Sequence, residues 1–103
     1  MTDEERALIQ DNNRRVVCAA NISIYGVVLV GARHWDTWMH KQADAQGISG
    51  VEGCQEQGFI DQYGNYLTRA EAWKVAKRQN QIIHLCGGQT LIDDGILWSE
   101  NLY

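Results

Sequence analysis

At 103 residues, 45% of them hydrophobic, the chain reads as one domain over residues 1–103 that buries roughly two-thirds of its unfolded surface without staples. Its net charge of −4 and pI near 5.2 argue against a nucleic-acid polymer or an anionic membrane as partner, because both reward a basic surface, whereas a small anion held by a few local arginines stays allowed. No apolar run approaches the roughly 18 residues of a membrane span, and Met1-Thr2-Asp3-Glu4-Glu5 is acidic where a signal peptide would be basic, so a cytosolic protein is expected.

Thr2 to Asn12 predicts a short helix with Thr2 as N-cap, acids in the first turn and a narrow apolar face of Ala7, Leu8 and Ile9. Arg15 to Ile24 and Val27 to Ala32 are β-rich runs either side of Tyr25-Gly26, the pattern of an antiparallel hairpin. Val27-Val28-Leu29-Val30 is continuously apolar, which predicts a strand covered on both faces and central in its sheet. Gly31 to Asp36 closes that strand and opens a helix. Trp35, Trp38, Met39 and Gln42 recur at helical spacing, Asp36 or Thr37 can cap, and Gly47 sits where a terminating glycine belongs.

Ile48 to Gln55 reads as a loop. Gly58-Phe59-Ile60 and Tyr66-Leu67 flank the turn residues Asp61 to Asn65, a second hairpin. Thr68 stands three residues before Glu71, the capping-box spacing, so a helix begins at Arg69 with Ala72, Trp73, Val75 and Ala76 as its buried side. Gln81 to Leu85 and Ile96 to Trp98 are expected to be further short strands, with turns at Gly87-Gly88 and Asp93-Asp94-Gly95. The fold class is therefore α+β: a small single domain in which an antiparallel sheet with a central hairpin packs against two helices. Cys18, Cys54 and Cys86 are odd in number, far apart and without a Cys-x-x-Cys, which fits reduced structural thiols and neither a disulfide framework nor a zinc site. Four tryptophans in so short a chain suggest that some aromatic area lies at a subunit interface.

Two places can hold an anion. Arg33 and His34 lie at a strand-to-helix junction beside Gly31, and Arg69 follows the free N–H groups of a helix start at Thr68. The bland alternatives are an ion pair for Arg33 and, for the second place, a helix end already satisfied by Glu71 with Arg69 merely solvated. Phe59, Tyr63 or a tryptophan can stack on a base, and Gln57 or Asn65 can read polar edges; Phe59 is equally suited to a core. No nucleophile motif, phosphate loop or His-x-x-x-His occurs. Glu56 and Glu71 could in principle serve as an acid/base pair, but Glu71 is already explained by capping and Glu56 has no evident nucleophile to activate. No catalytic residue, metal site or cofactor is expected.

The Ala19-Ala20 hairpin running into Gly31-x-Arg33-His34, then Glu56-Gln57-Gly58-Phe59, Gly64, Thr68-Arg69-x-Glu71-Ala72 and the terminal Ser99-Glu100-Asn101-Leu102-Tyr103 together resemble the first type of phage Thoeris anti-defence sponge proteins, over nearly the whole chain. The segment from Ile82 to Ile96 departs from that pattern. The resemblance implies a non-enzymatic α+β protein that assembles into a homo-oligomer, a dimer or higher such as a hexamer, in the cytoplasm of an infected bacterium. It would sequester cyclic ADP-ribose isomers, and in some members the cyclic di- or trinucleotides of the CBASS system, without cleaving them. It implies ligand contacts from Arg33, Phe59, Thr68 and Arg69, with His34 and Gln57 as lesser candidates. The competing readings are an enzyme that degrades the same signal and a protein-binding inhibitor of a host defence enzyme.

Overall fold

The computed structural model describes residues 1–23, 25–48 and 54–103, with backbone alone for Gln10, Asp11, Cys54 and Gln55. Helix α1 (Asp3–Asn13) is followed by strands β1 (Val16–Ser23) and β2 (Val28–Gly31), helix α2 (Thr37–Ala45), strands β3 (Cys54–Asp61) and β4 (Tyr66–Thr68), and helix α3 (Arg69–Arg78). A short 3-10 turn, Ser99–Asn101, lies near the end of an otherwise irregular C-terminal segment. The strands form one antiparallel sheet in the order β2-β1-β3-β4. This is the α+β arrangement expected, with α2 and α3 packed on the sheet and α1 as the expected N-terminal helix.

Local chemistry sets most element boundaries. Both α1 and α3 begin in capping boxes, Thr2 with Glu5 and Thr68 with Glu71, and Asp36 caps α2 by accepting from the Met39 N–H at 2.9 Å. The β1–β2 turn is closed by Ser23, whose hydroxyl accepts from the N–H groups of Tyr25 and Val27, while Gly26 takes the left-handed φ of 78° that the turn requires. Ile24, expected in the first strand, lies outside the described residues.

One face of the sheet carries the core. Ala19, Leu29, Phe59 and Leu67 meet Met39 and Ala43 of α2 and Ala72, Trp73 and Ala76 of α3, and Leu97 joins them from the C-terminal segment. Strand alternation puts Cys18, Ala20, Ile22, Val28, Val30 and Ile60 on the opposite face, outside that cluster. The molecule is thin, 40 × 39 × 18 Å, and its radius of gyration of 14.6 Å exceeds the roughly 13 Å of a compact chain of this length. Among the described residues no helix is long and apolar enough to cross a membrane.

Several expectations are corrected. Strand β2 is an edge strand and not central: Leu29 faces the core, but Val28 is exposed on the other face, so the apolar run reflects two differently covered faces. Its outer edge is closed by Gln42, whose amide accepts from the Val30 N–H at 2.9 Å and donates to the Val30 carbonyl. Trp35 lies outside α2, held at a φ of 56° before the Asp36 cap. Cys54 and Gln55 already belong to β3, and the rest of the expected loop, residues 49–53, falls outside the described residues. Gln81 to Leu85 and Ile96 to Trp98 form no strands. Gln81 instead uses its side-chain amide, accepting from the Val16 N–H and donating to the Val16 carbonyl at 3.0 and 2.8 Å. Cys18 and Cys86 are free thiols, as expected, and burial pushes the Cys18 thiol up.

Asp61 ties the two ends of the sheet's long strands together. Its buried carboxylate accepts from the backbone N–H groups of Tyr63 and Asn65, both at 2.9 Å, from the Asn65 amide and from Arg14 Nε at 3.0 Å. Burial opposes its charge, yet these donors outweigh burial and hold the carboxyl below the usual range. Asp61→Asn, which turns an amide donor toward this donor-rich cage, should lower unfolding free energy by about 2–3 kcal/mol in urea titration. It should also remove part of the acid sensitivity: a carboxyl lowered on folding stabilises above its unfolded pKa of about 3.9, and that contribution fades as pH falls through the lowered value.

Candidate functional site

The β3–β4 hairpin, the start of α3 and the C-terminal segment converge around Arg69. As the first residue of α3 it is turned back over the sheet rather than into solvent, and its Nη2 donates to Gln57 Oε1 from β3. Its guanidinium carbon lies 5.6 Å from the centroid of the Trp98 ring, and its backbone carbonyl accepts from the Leu97 N–H at 3.0 Å. Its Nε is buried with no hydrogen-bond partner among the described residues. Leaving a buried guanidinium N–H unpaired costs on the order of 1–3 kcal/mol.

His34 lies close by on the segment after β2. Its Nε2 is 2.7 Å from the Gly58 carbonyl, which can only accept, so Nε2 carries the proton and Nδ1 accepts from the Ser99 hydroxyl at 2.9 Å. Its ring meets Phe59 edge-on, with centroids 5.0 Å apart. Burial holds the imidazole below its ordinary pKa, the nearby Arg69 charge adds to this, and the Gly58 carbonyl and Glu100 oppose it. His34 is thus a neutral bridge between β3 and the C-terminal segment.

The remaining expected residues divide. Gln57 is brought to Arg69. Thr68 is occupied as the N-cap of α3: its hydroxyl accepts from the Glu71 N–H at 3.2 Å while Glu71 accepts from the Thr68 N–H at 3.1 Å, so the helix start is satisfied internally. Arg33 stands at the rim, its side chain 47% exposed, pairing with Glu100 at 3.4 Å and donating to the Tyr103 carbonyl at 3.3 Å. That is the ion-pair reading of Arg33. Phe59 is fully buried in the core, so its ring has no open face on which a base could stack. The strand alternation that brings Gln57 toward Arg69 also turns Phe59 inward.

Sequence reasoning missed Trp98, Ser99 and Tyr66. Trp98 is 45% exposed and supplies the aromatic surface that Phe59 does not. Tyr66, on the open face of the sheet, lies across Gly58, where an added Cβ would come within 2.3 Å of the phenol oxygen. That oxygen is buried without a hydrogen-bond partner among the described residues. Burial, with the charges of Glu56 and Glu71 and against that of Arg69, pushes the phenol up to about 12. The available signal was Gly58 itself, a glycine inside a strand pattern, which marks a close approach.

A cavity of about 630 Å³, lined by Trp73 and by parts of the segment from Cys86 to Trp98, has as one wall the Trp98 that also lies against Arg69. The chain matches the family described as Phage T4 y16D protein over residues 15–103. No curated protein and no solved structure matches it.

Because His34 titrates lower in the folded protein than in the unfolded chain, the unfolded state takes up its proton first. The stability this supplies is complete above about pH 6.5 and is lost as pH falls below it. Melting temperature should drop between pH 7 and pH 5.5, and the drop should be smaller in His34→Gln, measured by circular dichroism. An identical drop in both proteins would assign the effect to other groups.

Proposed function

Since the chain belongs to the phage T4 y16D protein family, we propose that it serves a phage as an anti-defence sponge. It binds a cyclic nucleotide immune signal in the cytoplasm of the infected bacterium and keeps it, uncleaved, from the host effector. The observation that carries this reading is Arg69, a half-buried arginine with an unpartnered Nε, braced by Gln57 and lying against an exposed tryptophan. A charge-assisted donor beside an aromatic surface suits a phosphate joined to a base. The resemblance to Thoeris sponge proteins points to cyclic ADP-ribose isomers, with CBASS cyclic di- or trinucleotides as further ligands.

Retention without cleavage is supported by how the candidate groups are engaged. Ser99 and His34 form a hydroxyl–imidazole pair, but Ser99 is 3% exposed and the other His34 nitrogen is held by a backbone carbonyl. Glu71 is engaged as a cap. A sponge gains from binding the ground state tightly, whereas an enzyme gains nothing in its chemical step from uniform binding.

The same reading includes a homo-oligomer. It is supported by the thin body and by the sheet face opposite the core, which carries Ile22, Val30 and Ile60 and, on β4, a Tyr66 phenol without a hydrogen-bond partner among the described residues. Light scattering at micromolar concentration should give a mass of at least a dimer; a monomer alone would refute self-association.

A thermal-shift panel should show stabilisation by a cyclic ADP-ribose isomer, since a ligand bound only to the folded state raises its stability. The ligand recovered after heat denaturation should be chemically unchanged by mass spectrometry. Arg69→Ala should lose about 1.5–3 kcal/mol of binding by calorimetry, and Arg69→Lys should recover only part of it, because an ammonium lacks the planar fork. A linearised or hydrolysed product, abolished by Glu56→Gln, would replace sequestration with catalysis.

A further inference from the structure

The cavity beside Trp98 has a chemistry opposite to that of Arg69. Trp73 and Trp98 supply its aromatic walls, Asp93 and Asp94 its carboxylates, and Gly87-Gly88 a stretch of bare backbone; its lining among the described residues holds no lysine or arginine. The loop that forms it is shaped before any ligand arrives. Gln89 accepts from the Cys86 N–H at 2.8 Å and donates to the Ile96 carbonyl at 2.9 Å, Asp93 accepts from the Thr90 hydroxyl at 2.9 Å, and the Trp73 indole donates to the Asp93 carbonyl at 3.2 Å. Gly88 sits at a φ of 79°, and Gly95 lies against the Trp73 ring, where an added Cβ would make ordinary contact at 3.4 Å. The volume of about 630 Å³ lies within the range of small-molecule sites.

Two carboxylates with no cation repel a phosphate and accept hydrogen bonds from neutral donors, and ribose hydroxyls and ring amines are such donors. Trp98 joins this acidic cavity to the one cation of the cluster that the fold holds half-buried, Arg69. We propose that the cavity takes the nucleoside end of the bound nucleotide, its ring against Trp98 and its hydroxyl or amine donors on Asp93 and Asp94, while the phosphates stay outside, on the Arg69 side of Trp98. This rests on the nucleotide-binding reading and adds a polarity to it. The segment from Ile82 to Ile96, which departs from the sponge pattern, then supplies the selectivity for the sugar and base.

The test is calorimetry of the full chain with cyclic ADP-ribose isomers, on wild type, Trp98→Leu, Asp94→Asn and Asp94→Lys. Asp94 is exposed, so its variants should melt as wild type does. Trp98→Leu and Asp94→Lys should each weaken binding by roughly tenfold or more, the scale of losing one stacked ring, and Asp94→Asn by less. Asp94→Lys separates the charge arrangements, because a lysine there would strengthen binding if phosphates entered the cavity. Equal or tighter binding by Asp94→Lys overturns the proposal while leaving the sponge reading intact. Loss in Trp98→Leu with no loss in Asp94→Lys overturns it too, since Trp98 also touches Arg69. If wild type binds no cyclic nucleotide, the sponge reading falls and this inference with it.

Discussion

Side-chain amides complete the backbone of this protein at three places where its short sheet runs out. A glutamine amide offers one acceptor and donors in the same spacing as a peptide group, so it can stand in for a missing strand. Gln42 does this for Val30 on the outer side of β2, and Gln81 for Val16, which extends beyond the end of β2. Gln62 accepts from the Arg15 N–H at 2.7 Å and donates to the Asn13 carbonyl, fixing the exit of α1 against the second hairpin. Each such pair is worth about 1 kcal/mol net, and for Val16 and Val30, which are at least partly buried, leaving the backbone groups unpaired would cost more.

The same device holds the candidate site. Asn101 is fully buried; its side chain accepts from the Trp98 N–H at 2.7 Å and donates to the His84 carbonyl at 2.8 Å, while its carbonyl accepts from the Ile83 N–H. Those bonds hold an irregular segment in one path. That path puts Ser99 on His34 and Trp98 against Arg69. The C-terminal residues thus serve as a brace laid over the junction between β2 and the second hairpin, which is why residues far apart in sequence meet there.

What could be seen in the sequence was local. The N-cap at Thr2, the capping box at Thr68–Glu71, the turn at Gly26 and the buried side of α3 each depend on residues within one or two turns of chain, and all of them formed as expected. The placement of β2 depended on which strand lies beyond it, and an apolar run of four residues reads alike at an edge and in a centre. Phe59 had two readings because an aromatic residue in a strand suits either face; the register with Ala19 and Leu67 puts it inside. Arg69 and Gln57 were legible as candidates, but Trp98 was not, because its position follows from the Asn101 bonds. Gln81 to Leu85 and Ile96 to Trp98 carried strand-like composition, yet Gln81 meets Val16 through its side-chain amide and not through a backbone ladder.

Gln42 has a consequence for how copies of this chain can meet. The outer edge of a terminal strand is normally a template on which another chain can pair, the route to donor-strand exchange and to fibrils. With the Val30 amide and carbonyl both capped by a side chain from the same molecule, the template at β2 is interrupted at its third residue. A sheet continuous across two subunits on that side is therefore disfavoured, and even at high concentration the protein would not seed polymers from that edge.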